Sequence, residues 1–379
     1  MLPAGFRTGN GIPDGKTRFR ALSYMNRKPH RPRSRASSAE DTLAVSEEPG
    51  VSPDPSPEFG PPAQGYSHAP VLLEEVVSYV PAGARLLVDC TAGGGGHAAA
   101  LLERFPEAEL LALDRDPHAV ATLQSRLESQ GSRVVIRHST FSRLPSHLMV
   151  ESADFILADL GVSSPQLDQA ARGFSFLSDG PLDMRMDPGS GGPTAADIVN
   201  TWPEQELCRL FMDLGEERFS GRIAQALVYS RDQRALRTSG ELARVVYQAV
   251  PFKFHRRGRH PATKVFQALR IAVNEELEEL SKLLESAPGM LRPGGRLAVI
   301  SFHSLEDRKV KEAFRTWENP CVCPSEIPVC VCGLTPLGRR LTKKAVAPSA
   351  AEISTNPRSR SAHLRVFEKR PEAVPEERS

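Results

Sequence analysis

The amino-acid sequence predicts an α/β fold in which a mainly parallel sheet carries helices on both faces and is interrupted by an all-helical insertion. In the first part of the 379-residue chain, short apolar runs alternate with helical stretches, a pattern typical of parallel sheets. From Ser164 to about Glu275 the alternation stops, and only amphipathic helical patterns and a Gly-rich loop remain. The alternation then resumes.

The strands predicted before the insertion are 85–89, 109–114, 133–137 and 154–159, with helices at 68–77, from about 96, and at 117–129. Within the insertion, one helix is predicted at 203–214 and another begins at the capping box Thr238–Glu241. After it, the pattern predicts one helix with an apolar stripe from Val265 to Leu284, a strand at 296–301, a helix at 305–317 and an antiparallel edge strand at 362–367. We expect a domain in two parts, 67–164 and 276–370, around an insertion at 165–275.

The N-terminal segment differs in composition from the rest. Residues 1–38 are rich in Arg and Lys and contain a single acid, Asp14. Without an apolar core such a stretch is not a secretory signal, and it predicts a mitochondrial presequence; a basic tail with no targeting role is the alternative. A Pro- and Ser-rich linker is predicted at 39–66 and a short tail at 371–379.

Composition restricts the kinds of partner that we expect the protein to bind. The formal charge of +2 is close to neutral, so affinity for nucleic acid must come from local patches. No apolar run approaches the roughly 18 residues that a membrane span needs. We therefore predict a soluble protein with no membrane span.

The loop Asp89–His97 contains four consecutive glycines between a predicted strand and a predicted helix. This is the context in which a backbone approaches a nucleotide-like ligand. The next strand ends at Asp114, which can accept both hydroxyls of a ribose. A dinucleotide is possible because Gly93-x-Gly95-x-x-Ala98 fits a loose pattern, but Asp89 favours S-adenosylmethionine, whose ammonium it would attract. For Asp89 alone, a turn cap is the alternative.

Further motifs follow in order along the chain: Gly95–His97, Asp114–Pro117, Asp159–Asp168, Arg172–Phe176, Asp179–Asp187, Gly215–Phe219, His260–Arg270, Ser301–Arg308 and Asn356–Ser361. With these motifs, residues 67–370 resemble the RsmH (MraW) family of small-subunit ribosomal RNA cytosine-N4 methyltransferases. The resemblance implies a Rossmann-like, class I methyltransferase sheet that uses S-adenosylmethionine. Together with the basic N-terminal segment, it points to the mitochondrial, methyltransferase-like branch of the family.

The resemblance also implies site residues. The cofactor contacts fall on Gly95, Gly96, His97, Asp114, Phe141, Asp159 and Gln166. Alternatively, His97 satisfies local backbone groups and Phe141 belongs to the core. We expect Asp159, Ser163 and Ser164 to accept hydrogen bonds from the cytosine amine, although turn chemistry explains the two serines equally well.

For other side chains the sequence indicates a role in the site less strongly. His303 could shape the site or be structural, and Asp183 with Arg185 is predicted to form an ion pair over the cleft. For RNA, basic and aromatic residues at 252–260 with Lys264 suit phosphate contacts and base stacking. A second basic cluster comprises Arg339, Arg340, Lys343, Lys344, Arg358 and Arg360. A solvated charged surface is the alternative for both.

Four of the six cysteines are paired as Cys321-Val-Cys323 and Cys330-Val-Cys332. Four thiolates could bind zinc, but the spacing is not that of a standard zinc ribbon, and a reduced loop is the alternative. The sequence alone therefore assigns no metal ligand.

The expected function is methylation of a cytidine in mitochondrial small-subunit ribosomal RNA, with the assembling small subunit as partner. Two alternatives remain: a catalytically weak RNA-binding assembly factor, and a dinucleotide-dependent oxidoreductase. Loss of cofactor residues would mark the first, and a second nucleotide-binding half would mark the second.

Overall fold

The computed structural model describes residues 70–255, 260–324 and 329–371. The strands in these residues are β1 Leu86–Asp89, β2 Glu109–Asp114, β3 Val134–His138, β4 Ala153–Asp159, β5 Leu291–Ser301, β6 Gly338–Arg340 and β7 His363–Lys369. They form a seven-stranded sheet with the spatial order β3-β2-β1-β4-β5-β7-β6. The first five strands in that order are parallel, whereas β7 runs antiparallel to β5 and β6.

Helices cover both faces of the sheet because successive strand residues point to opposite sides. In β4, Phe155 and Leu157 pack on one side while Ile156 and Ala158 pack on the other. The helices are α1 Leu73–Ser78, α2 Gly96–Arg104, α3 Pro117–Leu127, α4 Leu144–His147, α5 Ser164–Asp168, α6 Ala195–Thr201, α7 Glu204–Asp213, α8 Ser220–Gln233, α9 Ser239–Ala249, α10 Thr263–Asn274, α11 Glu276–Met290, α12 Ser304–Glu318 and α13 Ala350–Thr355.

The predicted all-helical insertion is confirmed between β4 and β5. Helices α6 to α10 enclose a hydrophobic core of their own, which includes Phe211, Leu227, Leu242 and Leu269. The capping box at Thr238 is also confirmed: its hydroxyl accepts the Glu241 N–H at 3.2 Å. The domain boundaries given above stay a prediction.

One predicted helix is in fact two. The stripe from Val265 to Leu284 is divided at Glu275, whose φ of 51° is left-handed and ends α10 while starting α11. The break lets Arg270 and Glu276 form two hydrogen bonds of 2.8 Å. In an unbroken helix, residues six apart would point to different sides.

Three further expectations need correction. The late strand β7 is antiparallel as predicted, but β6 pairs beside it, so β7 is not the edge. Strand β5 begins at Leu291 and includes the predicted turn Pro293–Gly295. Helix α1 begins at Leu73, not at His68.

The predicted presequence at 1–38, the linker at 39–66 and tail residues 372–379 lie outside the described residues. Within the described part of the chain, no helix is both long and apolar enough to span a membrane.

Candidate active site

A cleft of about 500 Å³ lies at the carboxyl ends of β1, β2 and β4, the edge where α/β sheets bind ligands. Most sequence-predicted site residues line it: Gly96, His97, Asp114, Phe141, Asp159, Ser163, Ser164 and Gln166. Gly95 lies directly behind this wall, where a Cβ would sit 2.7 Å from Leu123 Cδ1. Because Gly95 has no Cβ, the loop can pack closely on α3.

The glycine loop is held in shape by the acid at the end of β2. Gly93 and Gly95 have φ values of 52° and 78°, a left-handed conformation that glycine adopts without strain. The Asp114 carboxylate accepts the N–H groups of Gly93 at 2.7 Å and Asp116 at 2.8 Å. A carboxylate can accept about four hydrogen bonds, so Asp114 retains capacity for ribose hydroxyls.

Asp89 at the end of β1 and the partly exposed Asp159 at the end of β4 each have one buried oxygen without a partner among the residues that the structure describes. Asp89 Oδ2 and Asp159 Oδ1 make no hydrogen bond in the described residues. Burial raises the pKa of Asp89 to about 7. Burial, followed by the neighbouring charges of Asp89 and Glu306, raises the pKa of Asp159 well above its ordinary value. Such acceptors fit a ligand that carries positive charge and N–H donors, which is the chemistry of S-adenosylmethionine.

His97 is neutral in this environment. Burial lowers the pKa of its imidazole to about 4, and its Nε2 lies 3.0 Å from the carbonyl oxygen of Val71. Its Nδ1 is 3.7 Å from Asp159 Oδ2, which is too long for a hydrogen bond. His97 therefore ties the chain before α1 to the cleft and leaves the Asp159 carboxyl available.

Gln166 and Ser163 belong to a buried network that joins the sheet to the insertion. The Gln166 amide nitrogen donates to Asp116 Oδ2 at 2.8 Å, and its oxygen accepts the Ser163 N–H at 3.0 Å. Arg172 donates to the same Asp116 oxygen at 2.8 Å. One hydrogen bond at each end fixes the orientation of the Gln166 amide at the cleft wall. Ser163 acts as the capping residue of α5.

A second polar cluster forms the wall near β5. His303 is the N-cap residue of α12, and its Nε2 lies 3.1 Å from Glu306 Oε1. Buried Arg270 pairs with Glu276, and both line the cleft with Glu306. This placement favours the structural interpretation of His303.

The predicted ion pair between Asp183 and Arg185 is confirmed, with two hydrogen bonds of 2.8 and 2.7 Å. Arg185 also donates to the Pro188 carbonyl oxygen at 3.2 Å. The pair therefore stabilises the loop of the insertion that precedes α6.

The insertion presents aromatic side chains and cations together. Phe252 is 80% exposed, so its ring is available for stacking. The Arg218 guanidinium lies 5.1 Å from the centre of the Phe254 ring, and Tyr247 stacks on His260 with 5.6 Å between ring centres. Arg256, Arg257 and Arg259 lie outside the described residues.

Half of the predicted C-terminal basic cluster is paired with acids. Arg339 pairs with Glu368 at 2.7 Å, and Arg340 and Arg358 form ion pairs with Glu318 and Asp168. A cation that already pairs with an acid contributes less to phosphate binding. Of this cluster, Lys343, Lys344 and Arg360 have no ion pair within the described residues.

Sequence reasoning missed two functional positions. The Thr91 hydroxyl accepts the Asp159 N–H at 2.6 Å and so fixes the end of β4 against the glycine loop. Arg172 donates to Asp116 and to the carbonyl oxygens of Arg185 and Met186. Thr91 could have been found from its place inside the loop, whereas nothing in the local sequence indicates the partners of Arg172.

The strand order, the glycine loop, the acid ending β2 and the unpaired carboxyls define a class I methyltransferase that uses S-adenosylmethionine. Residues 65–370 match the MraW methylase family, and the chain belongs to that family. It is 52% identical over 309 residues to "Ribosomal RNA small subunit methyltransferase H" of Myxococcus xanthus, covering 81% of this chain and 99% of that protein. Proteins of the same name from Symbiobacterium thermophilum and Carboxydothermus hydrogenoformans are 48% and 47% identical, over 80% of this chain and 97% and 98% of their own lengths.

Proposed function

We propose that the protein transfers a methyl group from S-adenosylmethionine to the N4 amine of a cytidine in mitochondrial small-subunit (12S) ribosomal RNA, and that this supports small-subunit assembly and mitochondrial translation. The single observation that carries the reaction is the unpaired Oδ1 of Asp159 at the end of β4, beside the glycine loop. The relatives, named for small-subunit ribosomal RNA methylation, support the RNA class. The basic composition of residues 1–38 supports the mitochondrial matrix as location.

The cofactor supplies an electrophilic methyl group on a sulfonium when bound. The chain's own contribution is placement. The glycine loop and Asp114 can hold the adenosine end, while the Asp89 carboxyl can face the ammonium. The Asp159 carboxyl, which lines the cleft, can accept a hydrogen bond from the cytosine amine, which orients the nitrogen lone pair. Near-attack placement of this kind can contribute about 7–11 kcal/mol.

Phe141 forms one wall of the cleft and packs partly against the core below β3. An aromatic face in this position suits an adenine ring. The aromatic and cationic surface of the insertion, around Phe252 and Phe254, lies on the same chain segment as the basic stretch 255–259. That combination suits an unpaired RNA strand, whose bases stack and whose phosphates attract cations.

The decisive experiment maps N4-methylated cytidines in mitochondrial small-subunit ribosomal RNA from cells with and without the protein. We expect one modified position to disappear and to return with the wild-type chain but not with Asp159→Asn. If Asp159→Asn restores ribosome assembly while the position stays unmethylated, the protein acts as an RNA-binding assembly factor. If the methylation pattern never changes, the proposed substrate is wrong.

A further inference from the structure

Four cysteine side chains meet in the loop between α12 and β6, outside the cleft. The sulfur atoms of Cys321, Cys323, Cys330 and Cys332 all lie within 4.8 Å of one another. The Sγ of Cys330 is 3.5 Å from that of Cys321, 3.8 Å from that of Cys323 and 3.4 Å from that of Cys332. Four thiolates bound to one zinc at about 2.3 Å in a tetrahedron lie about 3.8 Å apart, whereas the atoms of a disulfide are about 2.0 Å apart. The spacing matches the metal.

The loop has little else to hold it. None of the described residues from 315 to 341 is buried, so no apolar core fixes this segment. The valines that alternate with the cysteines are exposed: Val322, Val329 and Val331 at 75%, 71% and 74%. A segment without buried apolar surface needs a cross-link to keep one conformation.

Backbone N–H groups point at the sulfurs, as they do around metal-bound thiolates. The Val331 N–H donates to Cys323 Sγ at 3.4 Å. The N–H groups of Leu334 and Val322 also form hydrogen bonds with the Cys332 thiol. Gly333, with φ of 66°, makes the turn that directs Leu334 back to this sulfur.

We propose that Cys321, Cys323, Cys330 and Cys332 bind one structural zinc ion, which pins the loop between α12 and β6. The site has four protein ligands and no open position, so its role is structural. It is separate from the cleft, and none of its ligands lines the cleft. The proposal therefore does not depend on the proposed function.

The test measures the metal content of the full chain purified without chelators. We expect about one zinc per chain in the wild type and in the control Cys208→Ser, and background zinc in Cys321→Ser and Cys330→Ser. Replacing zinc with cobalt should give the intense visible absorption of tetrahedral cobalt thiolates in the wild type only. Circular dichroism establishes that each variant is folded.

A second measurement is the sensitivity of the cysteine loop to protease. Removal of zinc by a chelator should expose the chain to cleavage between residues 319 and 337, and added zinc should restore protection. A wild-type chain that contains no zinc and binds none would overturn the proposal. So would two disulfides among these cysteines in the purified protein, or unchanged zinc after all four are replaced by Ser.

Discussion

The cleft at the end of the sheet and the helical insertion beside it are stabilised in opposite ways. At the cleft, short strands and a glycine loop bring together two carboxyl groups with unpaired oxygens: Asp159, which lines the cleft, and Asp89, which is buried next to the lining residues. In the insertion, α6 to α10 enclose their own apolar core, and the aromatic and charged side chains lie outside it. The sheet therefore holds reactive groups in place although their buried, unpaired oxygens cost stability. The insertion instead presents aromatic and charged side chains on the surface of a stable apolar core.

The difference teaches where each part of the function can be altered. A change in the cleft should affect cofactor binding and chemistry while the fold is kept. A change at the surface of the insertion should affect RNA affinity alone. The junction formed by Asp116, Gln166 and Arg172 joins the two regions, so a change there should affect stability and activity together.

The largest effect is expected at this junction. Arg172→Met leaves the buried Asp116 carboxylate without its cation and should lower the free energy of unfolding by about 3–5 kcal/mol. The exposed pair of Arg104 with Glu74 provides the control, since Arg104→Met should cost at most about 1 kcal/mol. Urea denaturation of both variants measures the difference. Equal losses would mean that the junction does not couple the regions.

The next effect is catalytic. Asp159→Asn replaces one carboxyl oxygen, an acceptor, by an NH2 donor and should lower kcat by roughly 100-fold or more, with a smaller change in cofactor affinity. Asp213→Asn, at an exposed position of the insertion, should be active. Single-turnover methylation of an RNA substrate, with calorimetry of cofactor binding, separates the two parameters. Full turnover by Asp159→Asn would remove this residue from the reaction.

A smaller effect, on stability, is expected from substitutions in the glycine loop. Gly95→Ala places a Cβ at φ 78°, 2.7 Å from Leu123 Cδ1, and should cost about 1–2 kcal/mol of stability. Gly94→Ala meets no atom within 4 Å and should fold like the wild type. Thermal denaturation compares them directly. If Gly94→Ala were the more damaging variant, the assignment of the turn to Gly95 would fail.

The smallest effect should be on RNA binding alone. Replacing Arg256, Arg257 and Arg259 by Gln should weaken RNA binding by roughly tenfold at low salt and reduce the log–log salt dependence by about 2. The paired surface cations Arg85 and Arg104, replaced by Gln, should change neither quantity. Filter binding at several salt concentrations provides the measurement. An unchanged affinity in the first variant would exclude this stretch from the interface.

Much of the sheet follows from local sequence, because buried parallel strands are short apolar runs and the loops after them are marked by Gly, Asp and Pro. The strand Glu109–Asp114 was predicted at its observed bounds. The division at Glu275 was not, because the apolar stripe continues across it and no Gly or Pro marks the left-handed residue. The junction around Asp116 was not predicted either, because its partners lie 50 and 56 residues away in the sequence.

The central claim is that the unpaired carboxyls at the ends of β1 and β4 hold the cationic cofactor. The pH dependence of cofactor binding tests this claim most directly. The pKa of Asp89 is raised to about 7, so this group is protonated below that pH and charged above it. S-adenosylmethionine affinity, measured by calorimetry from about pH 5.5 to 7.5, should therefore strengthen as pH rises in the wild type. His97, with a pKa lowered to about 4, does not titrate in this window. Asp89→Asn should bind more weakly and lose the part of the dependence that Asp89 contributes, while Asp159, whose pKa is also raised, accounts for the remainder. Identical pH profiles and affinities in the two proteins would contradict the claim.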